Sequence, residues 1–320
     1  RHYYKPFNYD WAFQAYKTQQ QMHWMPDEVN LHDDVRDYRE KLPVESRRLI
    51  DNIFRFFTQA DVDVASGYAT HFLPTFKQPE IRMMLSAFAG MEAVHMEAYA
   101  LLLDTLGKEE EIYQEFMKIQ EMADKHEYLT DFNMESPHEI AKTLAVYSGF
   151  TEGVQLFSSF AILLNFPRFG KMKGMGQIVT YSIRDESMHV EAMTKLFREF
   201  IQENIEIWTD DFKAELYQIC REMVELEDKF LDLVFEMGDL PGLTKKDMYA
   251  YNRYIADRRL LQLGLKTNYD QKENPLGWID EVMGVEHQNF FEGRATTYMK
   301  AGLRGSQNNI TFTNLEESND

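Results

Sequence analysis

The chain has 320 residues, of which 44% are hydrophobic and 14% are aromatic, enough apolar material for a large buried core. Its 53 acidic residues outnumber 34 basic ones, and the net charge of -19 argues against nucleic acid and against an anionic membrane surface as partners. A single cysteine, Cys220, excludes an intrachain disulfide and any catalytic cycle that needs two thiols of this chain. No apolar run is long enough to span a membrane and the first residues do not form a secretory signal, so we expect a cytoplasmic protein.

The predicted elements are helices, because long stretches with helical apolar periodicity alternate with short breaks, and the alternation typical of strands is almost absent. In chain order, we predict helices at residues 8–23, 44–72, 79–106, 109–126, 137–165, 171–206, 210–238 and 243–265, a shorter one near 276–283, and another after Asn289. Helices of about 28 residues span some 42 Å and need neighbours along their whole length. The sequence therefore predicts an all-α helical bundle.

Two segments outside the helix interiors lead to separate predictions. Residues 170–176 are rich in glycine, but the order of the glycines does not fit a phosphate-binding loop, and a turn between two core helices is the simpler interpretation. Residues 302–320 are polar and unpatterned, which predicts a mobile tail after a single domain at residues 1–301.

Three histidines follow a glutamate by three residues, a spacing that places both side chains on one face of a helix. The pair Glu135 and His138 is separated by Pro137, which interrupts the helix that the pair would need. The other two pairs lie inside long apolar segments, where an unpaired carboxylate would be costly and a metal ion can compensate its charge. These pairs are Glu92 with His95 and Glu186 with His189.

Bundles with a carboxylate-bridged metal pair add one acidic residue from each of two further helices. Glu152 is the one acid in a largely apolar helix, and Asp61 lies in another such helix, where Asp63 is an alternative. Four carboxylates would balance two divalent cations, and two imidazoles with oxygen ligands suit iron or manganese better than zinc or calcium. For any one of these acids taken alone, a position on a solvated helix face is the simpler interpretation. Taken together, they predict a metal site.

Tyr99 lies four residues after His95 and seven after Glu92, so that all three share a helix face. The helical rise places its Cα about 6 Å beyond that of His95, where a phenol could be oxidised by a metal pair. Without a metal, Tyr99 would be an ordinary core tyrosine.

These residues resemble the small subunits of class I ribonucleotide reductases, over most of the chain from about Phe7 to the tail. Met91-Glu-Ala-Val-His-Met-Glu-Ala-Tyr99 resembles the family motif with two metal ligands and the radical tyrosine, and Arg184-Asp-Glu-Ser-Met-His189 resembles a second ligand motif. The resemblance implies a ferritin-like bundle with a carboxylate-bridged dinuclear metal site. Family spacing selects Asp61 over Asp63 and supports Glu152. The implied ligands are Asp61, Glu92, His95, Glu152, Glu186 and His189.

Three further residues carry implied roles in radical transfer. The stretch from His23 to Val29 resembles the family segment with an electron-transfer tryptophan, which would be Trp24. Asp185 would link Trp24 to a ligand histidine, His95. Tyr298 falls at the position of the family's interface tyrosine.

In this family a large subunit reduces ribonucleotides with its cysteines, and the small subunit generates and stores the oxidising equivalent. The resemblance implies this role, a homodimer, and docking of the tail at residues 302–320 on the large subunit. Two alternatives remain open from the residues alone: a di-metal oxidase or oxygenase of similar fold, and a metal-storage protein like ferritin.

The resemblance implies a pair of manganese ions or a pair of iron ions. Residues 56–68 most resemble the members that use manganese and leave the tyrosine unoxidised, and Tyr99 argues against the members that have replaced it.

Overall fold

The computed structural model describes residues 3–284, apart from the side chains of residues 116 and 128–130. The described chain is helical, and within it only an isolated bridge between Leu240 and Leu243 has β-type pairing. The α-helices are α1 Asp10–Gln21, α2 His32–Arg36, α3 Val44–Gly67, α4 Leu73–Thr75, α5 Pro79–Thr105, α6 Ile112–Glu115, α7 Gln120–Thr130, α8 Pro137–Leu144, α9 Leu156–Arg168, α10 Lys173–Glu203, α11 Asp210–Val234 and α12 Lys245–Gln262. No described helix has the length and apolarity to cross a membrane.

Three wider turns of π-helix interrupt this α-helical pattern. They are Asp37–Lys41, Tyr68–Phe72 and Ala145–Gln155, and the last two continue α3 and α8 without a break in the helical path. Short 3-10 turns lie at Pro26–Glu28, Phe116–Lys118 and Ile205–Ile207. Because π-helical turns are rare and concentrate at functional sites, Tyr68–Phe72 and Ala145–Gln155 mark a region of interest.

The helix formed by Ala145–Gln155 and α9 lies at the centre of the bundle. Every residue from Ala145 to Phe166 is buried, as expected for a helix that is surrounded on all sides. The π-helical part contacts α10, α11 and α12, and α3 and α5 pack together beside it. The long helix α10 packs along both parts of this central helix, and α3 and α12 also contact both parts.

The start of α10 is fixed by residues from the N-terminal part of the chain. The carboxylate of Asp34 accepts hydrogen bonds from the backbone N–H groups of Gly174, at 2.9 Å, and Met175, at 2.7 Å. A Cβ atom on Gly174 would lie 2.5 Å from the carbonyl oxygen of Asn30, so the close approach requires glycine. The capped start sets the register of α10, which carries Glu186 and His189.

The predicted helices and the observed ones agree for the long elements, with two differences. The predicted helix at 109–126 is wrong, because Ile119 has an extended conformation and the chain divides into α6 and α7. This division lets α6 pack on α3 while α7 packs on α11. Helical turns between Pro26 and Lys41 were not predicted. In the glycine-rich segment, residues 169–172 form the predicted turn and the later glycines lie within α10.

A short helix begins at residue 278 and continues to the last described residue, 284, in agreement with the prediction near 276–283. The predicted helix after Asn289, Tyr298 and the predicted tail at residues 302–320 lie outside the described residues.

Candidate metal centre

Four helical elements bring the six predicted ligand residues into one buried cluster. Asp61 comes from α3, Glu92 and His95 from α5, Glu152 from the π-helical segment, and Glu186 and His189 from α10. Their exposed fractions are 2% or less, so water does not compensate the charge of these carboxylates.

The cluster consists of two overlapping groups of possible ligand atoms, each with all atoms within 4.8 Å of one another. Asp61, Glu92 and His95 form one group, and Glu92, Glu152, Glu186 and His189 form the other. Glu92 belongs to both groups, which is the placement required of a carboxylate that bridges two ions.

Both imidazoles present Nδ1 to the carboxylates and Nε2 to an outer polar partner. Nδ1 of His95 lies 3.3 Å from Glu92, and Nδ1 of His189 lies 3.2 Å from Glu92. Nε2 of His95 contacts Asp185 at 2.9 Å, and Nε2 of His189 contacts Oε1 of Gln19 at 2.6 Å. Because both outer partners are hydrogen-bond acceptors, each Nε2 keeps a proton, and loss of the other ring proton leaves an Nδ1 lone pair that points into the cluster.

The protonation of these groups reflects an excess of buried negative charge. Burial and the nearby Glu92 raise the pKa of Asp61 to about 8. Burial, Glu92 and Glu152 raise the pKa of Glu186 well above its usual range. Burial lowers the pKa of His189, but its contacts with Glu152 and Glu92 outweigh burial and raise this pKa to about 9. These three groups therefore bind protons tightly, as expected in a site that needs positive charge.

Several carboxylate oxygens of the cluster accept no hydrogen bond of normal geometry from the described residues. They are Oδ2 of Asp61, Oε2 of Glu92 and both oxygens of Glu186. Buried polar atoms are nearly always satisfied, so carboxylate oxygens left without donors, beside the Nδ1 atoms of two imidazoles, fit the coordination of cations. The donor set of the chain therefore fits a pair of metal ions.

Trp24 is buried beside this cluster and connects to it through Asp185. The indole Nε1–H donates to Oδ2 of Asp185 at 2.8 Å, and the same oxygen lies 2.9 Å from Nε2 of His95. Burial raises the pKa of Asp185, but the hydrogen bonds from His95 and Trp24 outweigh it and lower the pKa. Asp185 is consequently a carboxylate that accepts a hydrogen bond from each ring.

Tyr99 lies on the side of the cluster where Asp61 is found. Its hydroxyl donates to Oγ of Ser182 at 3.0 Å, and this serine donates to the carbonyl oxygen of Ile178. Burial and the charge of Asp61 raise the pKa of Tyr99, so the phenol is protonated. Phe57 packs against the tyrosine, with ring centroids 5.0 Å apart.

Two residues that contact the cluster were missed by the sequence reasoning. Gln19 on α1 contacts His189 and also donates to Asp185 at 3.4 Å. Tyr68 is the first residue of a π-helical turn, and its hydroxyl donates a hydrogen bond to Glu152. Neither residue belongs to a Glu-x-x-His pair, and the local sequence around them contains no signal for a metal site.

The alternative candidates lie elsewhere. Asp63 accepts one hydrogen bond from Gln59, at 2.7 Å, and contacts His126 on α7 at 2.6 Å. Glu135 precedes α8, which begins at Pro137. His138 contacts Glu215 on α11 at 3.0 Å.

The sequence and the fold match known proteins of one kind. The family model described as ribonucleotide reductase, small chain, matches residues 1–275. A probable ribonucleoside-diphosphate reductase small subunit of Invertebrate iridescent virus 6 is 42% identical, with 97% of each chain covered. The ribonucleoside-diphosphate reductase subunit beta of Chlamydia pneumoniae is 31% identical, with 93% of this chain and 90% of the relative covered.

A solved structure shares the architecture. A class I ribonucleotide reductase of Bacillus halodurans superposes with a TM-score of 0.80 at 25% identity, over 85% of this chain and 99% of the other. The match over most of the chain favours the reductase interpretation over a di-metal oxidase or a storage protein. The buried cluster, the ferritin-like bundle and these matches agree, and the chain belongs to the ribonucleotide reductase small-chain family.

Proposed function

We propose that this chain generates the oxidising equivalent with which a large subunit reduces ribonucleotides to deoxyribonucleotides, and that the cluster around Glu92 holds the two metal ions needed for it. The observation that carries the proposal is the pair of overlapping ligand groups around Glu92. One of the ligands, His95, is linked through Asp185 to the buried Trp24. Membership of the family makes the large subunit the partner.

The ligands would be Asp61, Glu92, His95, Glu152, Glu186 and His189, with Glu92 available to both ions. When bound and oxidised, a manganese or iron pair supplies a one-electron oxidising equivalent. The residues of the chain hold the ions, exclude water from them and fix both imidazoles through the outer acceptors Asp185 and Gln19.

Trp24 would pass the oxidising equivalent outward. Its indole ring lies 6.1 Å from the His95 ring, centroid to centroid, and 5.1 Å from the Tyr181 ring. Asp185 accepts the hydrogen bond of the indole N–H, so the proton that becomes acidic when Trp24 loses an electron is already directed to a carboxylate. Tyr298 would continue the path at the interface with the large subunit.

The proposal also concerns which metal is bound and how the protein assembles. We favour two manganese ions with an unoxidised Tyr99, on the resemblance of residues 56–68, with two iron ions and a tyrosyl radical as the alternative. We also propose a homodimer, with residues 302–320 binding the large subunit, as the family resemblance implies. Sedimentation of the purified chain tests the homodimer directly.

The function is tested by assaying ribonucleotide reduction with the chain, the large subunit and the metal each omitted in turn. The proposal expects product only when all three are present. Reduction by the chain without a large subunit, or by the large subunit alone, would contradict it.

A further inference from the structure

Tyr68 occupies a position from which it contacts one carboxylate of the cluster directly. It is the first residue of the π-helical turn that follows α3, and 1% of it is exposed. Its hydroxyl lies 3.0 Å from Oε1 and 3.2 Å from Oε2 of Glu152, so a single O–H is shared between both oxygens. The hydrogen bond therefore joins the π-helical turn after α3 to the central helix.

Aromatic neighbours hold the ring of Tyr68 in this position. The rings of Phe72, Phe88 and His189 meet it edge to face, with centroids between 5.8 and 6.3 Å away. Such contacts fix the ring plane, and therefore the direction of the hydroxyl, before any ligand binds.

The backbone that carries Glu152 is fixed separately. The guanidinium Nε of Arg259 on α12 donates to the carbonyl oxygen of Gly153 at 2.9 Å. A Cβ atom on Gly153 would lie 2.7 Å from that nitrogen, so a larger residue would displace Arg259. With the backbone held by Arg259, the remaining freedom of Glu152 is the rotation of its side chain, which the hydroxyl of Tyr68 restricts.

A second polar group near Glu152, the imidazole of His189, has a different role from Tyr68. Nδ1 of His189 lies 3.6 Å from Glu152, but this nitrogen is itself one of the atoms available to a cation. A carboxylate has about four acceptor sites, so Glu152 can keep the hydrogen bond from Tyr68 while it coordinates a cation. Tyr68 is thus compatible with both the free and the loaded site.

We propose that Tyr68 is a positioning residue, which orients the Glu152 carboxylate and so raises the metal affinity of the subsite formed with Glu186 and His189. The inference rests on the proposed function, since it requires the cluster to hold two metal ions. Outer hydrogen-bond partners of metal ligands typically contribute about 10–100-fold in metal affinity, and we expect an effect of that size.

The test is a calorimetric titration of the metal-free full chain with Mn(II) under anaerobic conditions. Tyr68→Phe keeps the ring and its packing but removes the hydroxyl, so it should weaken one of the two binding events by about 10–100-fold and leave the other unchanged. Tyr38→Phe is the matched control, because it removes a buried phenol hydroxyl that donates to Asp51, a carboxylate outside the cluster. The control should bind two ions with unchanged affinity.

A double-mutant cycle with Glu152→Gln separates positioning from packing. If Tyr68 acts through the Glu152 carboxylate, adding Tyr68→Phe to Glu152→Gln should change the affinity by less than about twofold. Equal weakening in both backgrounds would mean that Tyr68 acts by packing, and it would overturn the proposal, as would unchanged binding in Tyr68→Phe. If the unsubstituted chain itself fails to bind two ions, the dinuclear site is refuted and this inference falls with it.

Discussion

Trp24 and His95 are joined by one atom, Oδ2 of Asp185, which lies 2.8 Å from the indole nitrogen and 2.9 Å from Nε2 of the imidazole. The two rings come from different elements, one from the segment after α1 and the other from α5, and their centroids lie 6.1 Å apart. Since Asp185 directly precedes Glu186, the helix that supplies two ligands also supplies the link to the tryptophan. The metal cluster and the exit path of the oxidising equivalent are therefore built on the same element.

Replacing Trp24 with phenylalanine should abolish turnover while metal content stays the same. Phenylalanine keeps an apolar ring but is much harder to oxidise and cannot donate to Asp185. The measurements are metal content by elemental analysis and ribonucleotide reduction with the large subunit. Trp11→Phe is the control, because Trp11 lies on α1 and packs beside Lys195 rather than Asp185. Normal turnover of the Trp24→Phe variant would remove Trp24 from the path.

Replacing Tyr99 with phenylalanine distinguishes the two metal alternatives. We expect the variant to retain turnover when loaded with manganese, because the favoured alternative leaves the phenol unoxidised and its hydroxyl donates to Ser182. Electron paramagnetic resonance of the activated unsubstituted chain should then show no tyrosyl radical. A tyrosyl signal that disappears together with activity in Tyr99→Phe would instead identify Tyr99 as the radical site.

Metal binding should strengthen as the pH rises through the neutral range. The pKa of Asp61 is about 8 and that of His189 about 9 before metal binds, so both groups carry a proton at lower pH. A cation has to displace these protons, so affinity should rise by about tenfold per pH unit for each proton released. Titrations with Mn(II) at about pH 6.5 and about pH 8 check this sign. Equal affinity at both values would mean that the ligands are already deprotonated.

The sequence predicted the long helices because their apolar residues repeat with helical periodicity. It could not predict the π-helical turn at Ala145–Gln155, because every residue there is buried and the apolar pattern has no polar face to reveal the pitch. The break at Ile119 was missed for a different reason. The apolar spacing continues across it, and packing against α3 and α11 decides where the chain turns.

In the metal cluster, too, some residues have a local sequence pattern and others are placed only by packing. The residues expected at the cluster could be chosen from the sequence because two Glu-x-x-His pairs stand in apolar helices, and the structure brings all of them together. Gln19 and Tyr68 could not be chosen, because each reaches the cluster through helix packing alone. Their partners are 170 and 84 residues away along the chain, a separation that no local pattern reveals.

Deleting residues 306–320 should abolish association with the large subunit and leave metal content and helicity unchanged. Ile310, Phe312 and Leu315 form a sparse apolar series among polar residues, a pattern that suits a segment bound in a partner's groove. Binding of the truncated chain to the immobilised large subunit is the measurement. Tyr298→Phe is the companion variant and should bind normally but fail to turn over. Unchanged affinity of the truncated chain would refute the docking role.

The most direct test of the whole account is the number of metal ions bound per chain, measured by elemental analysis after anaerobic loading with manganese or iron. The account predicts two ions in the unsubstituted chain and at most one in Glu186→Ala or His189→Ala, because each variant removes a ligand from the group of four. A matched change outside the cluster, Asp63→Ala, should still bind two ions. Full occupancy in the Glu186→Ala and His189→Ala variants would contradict the dinuclear site at this cluster.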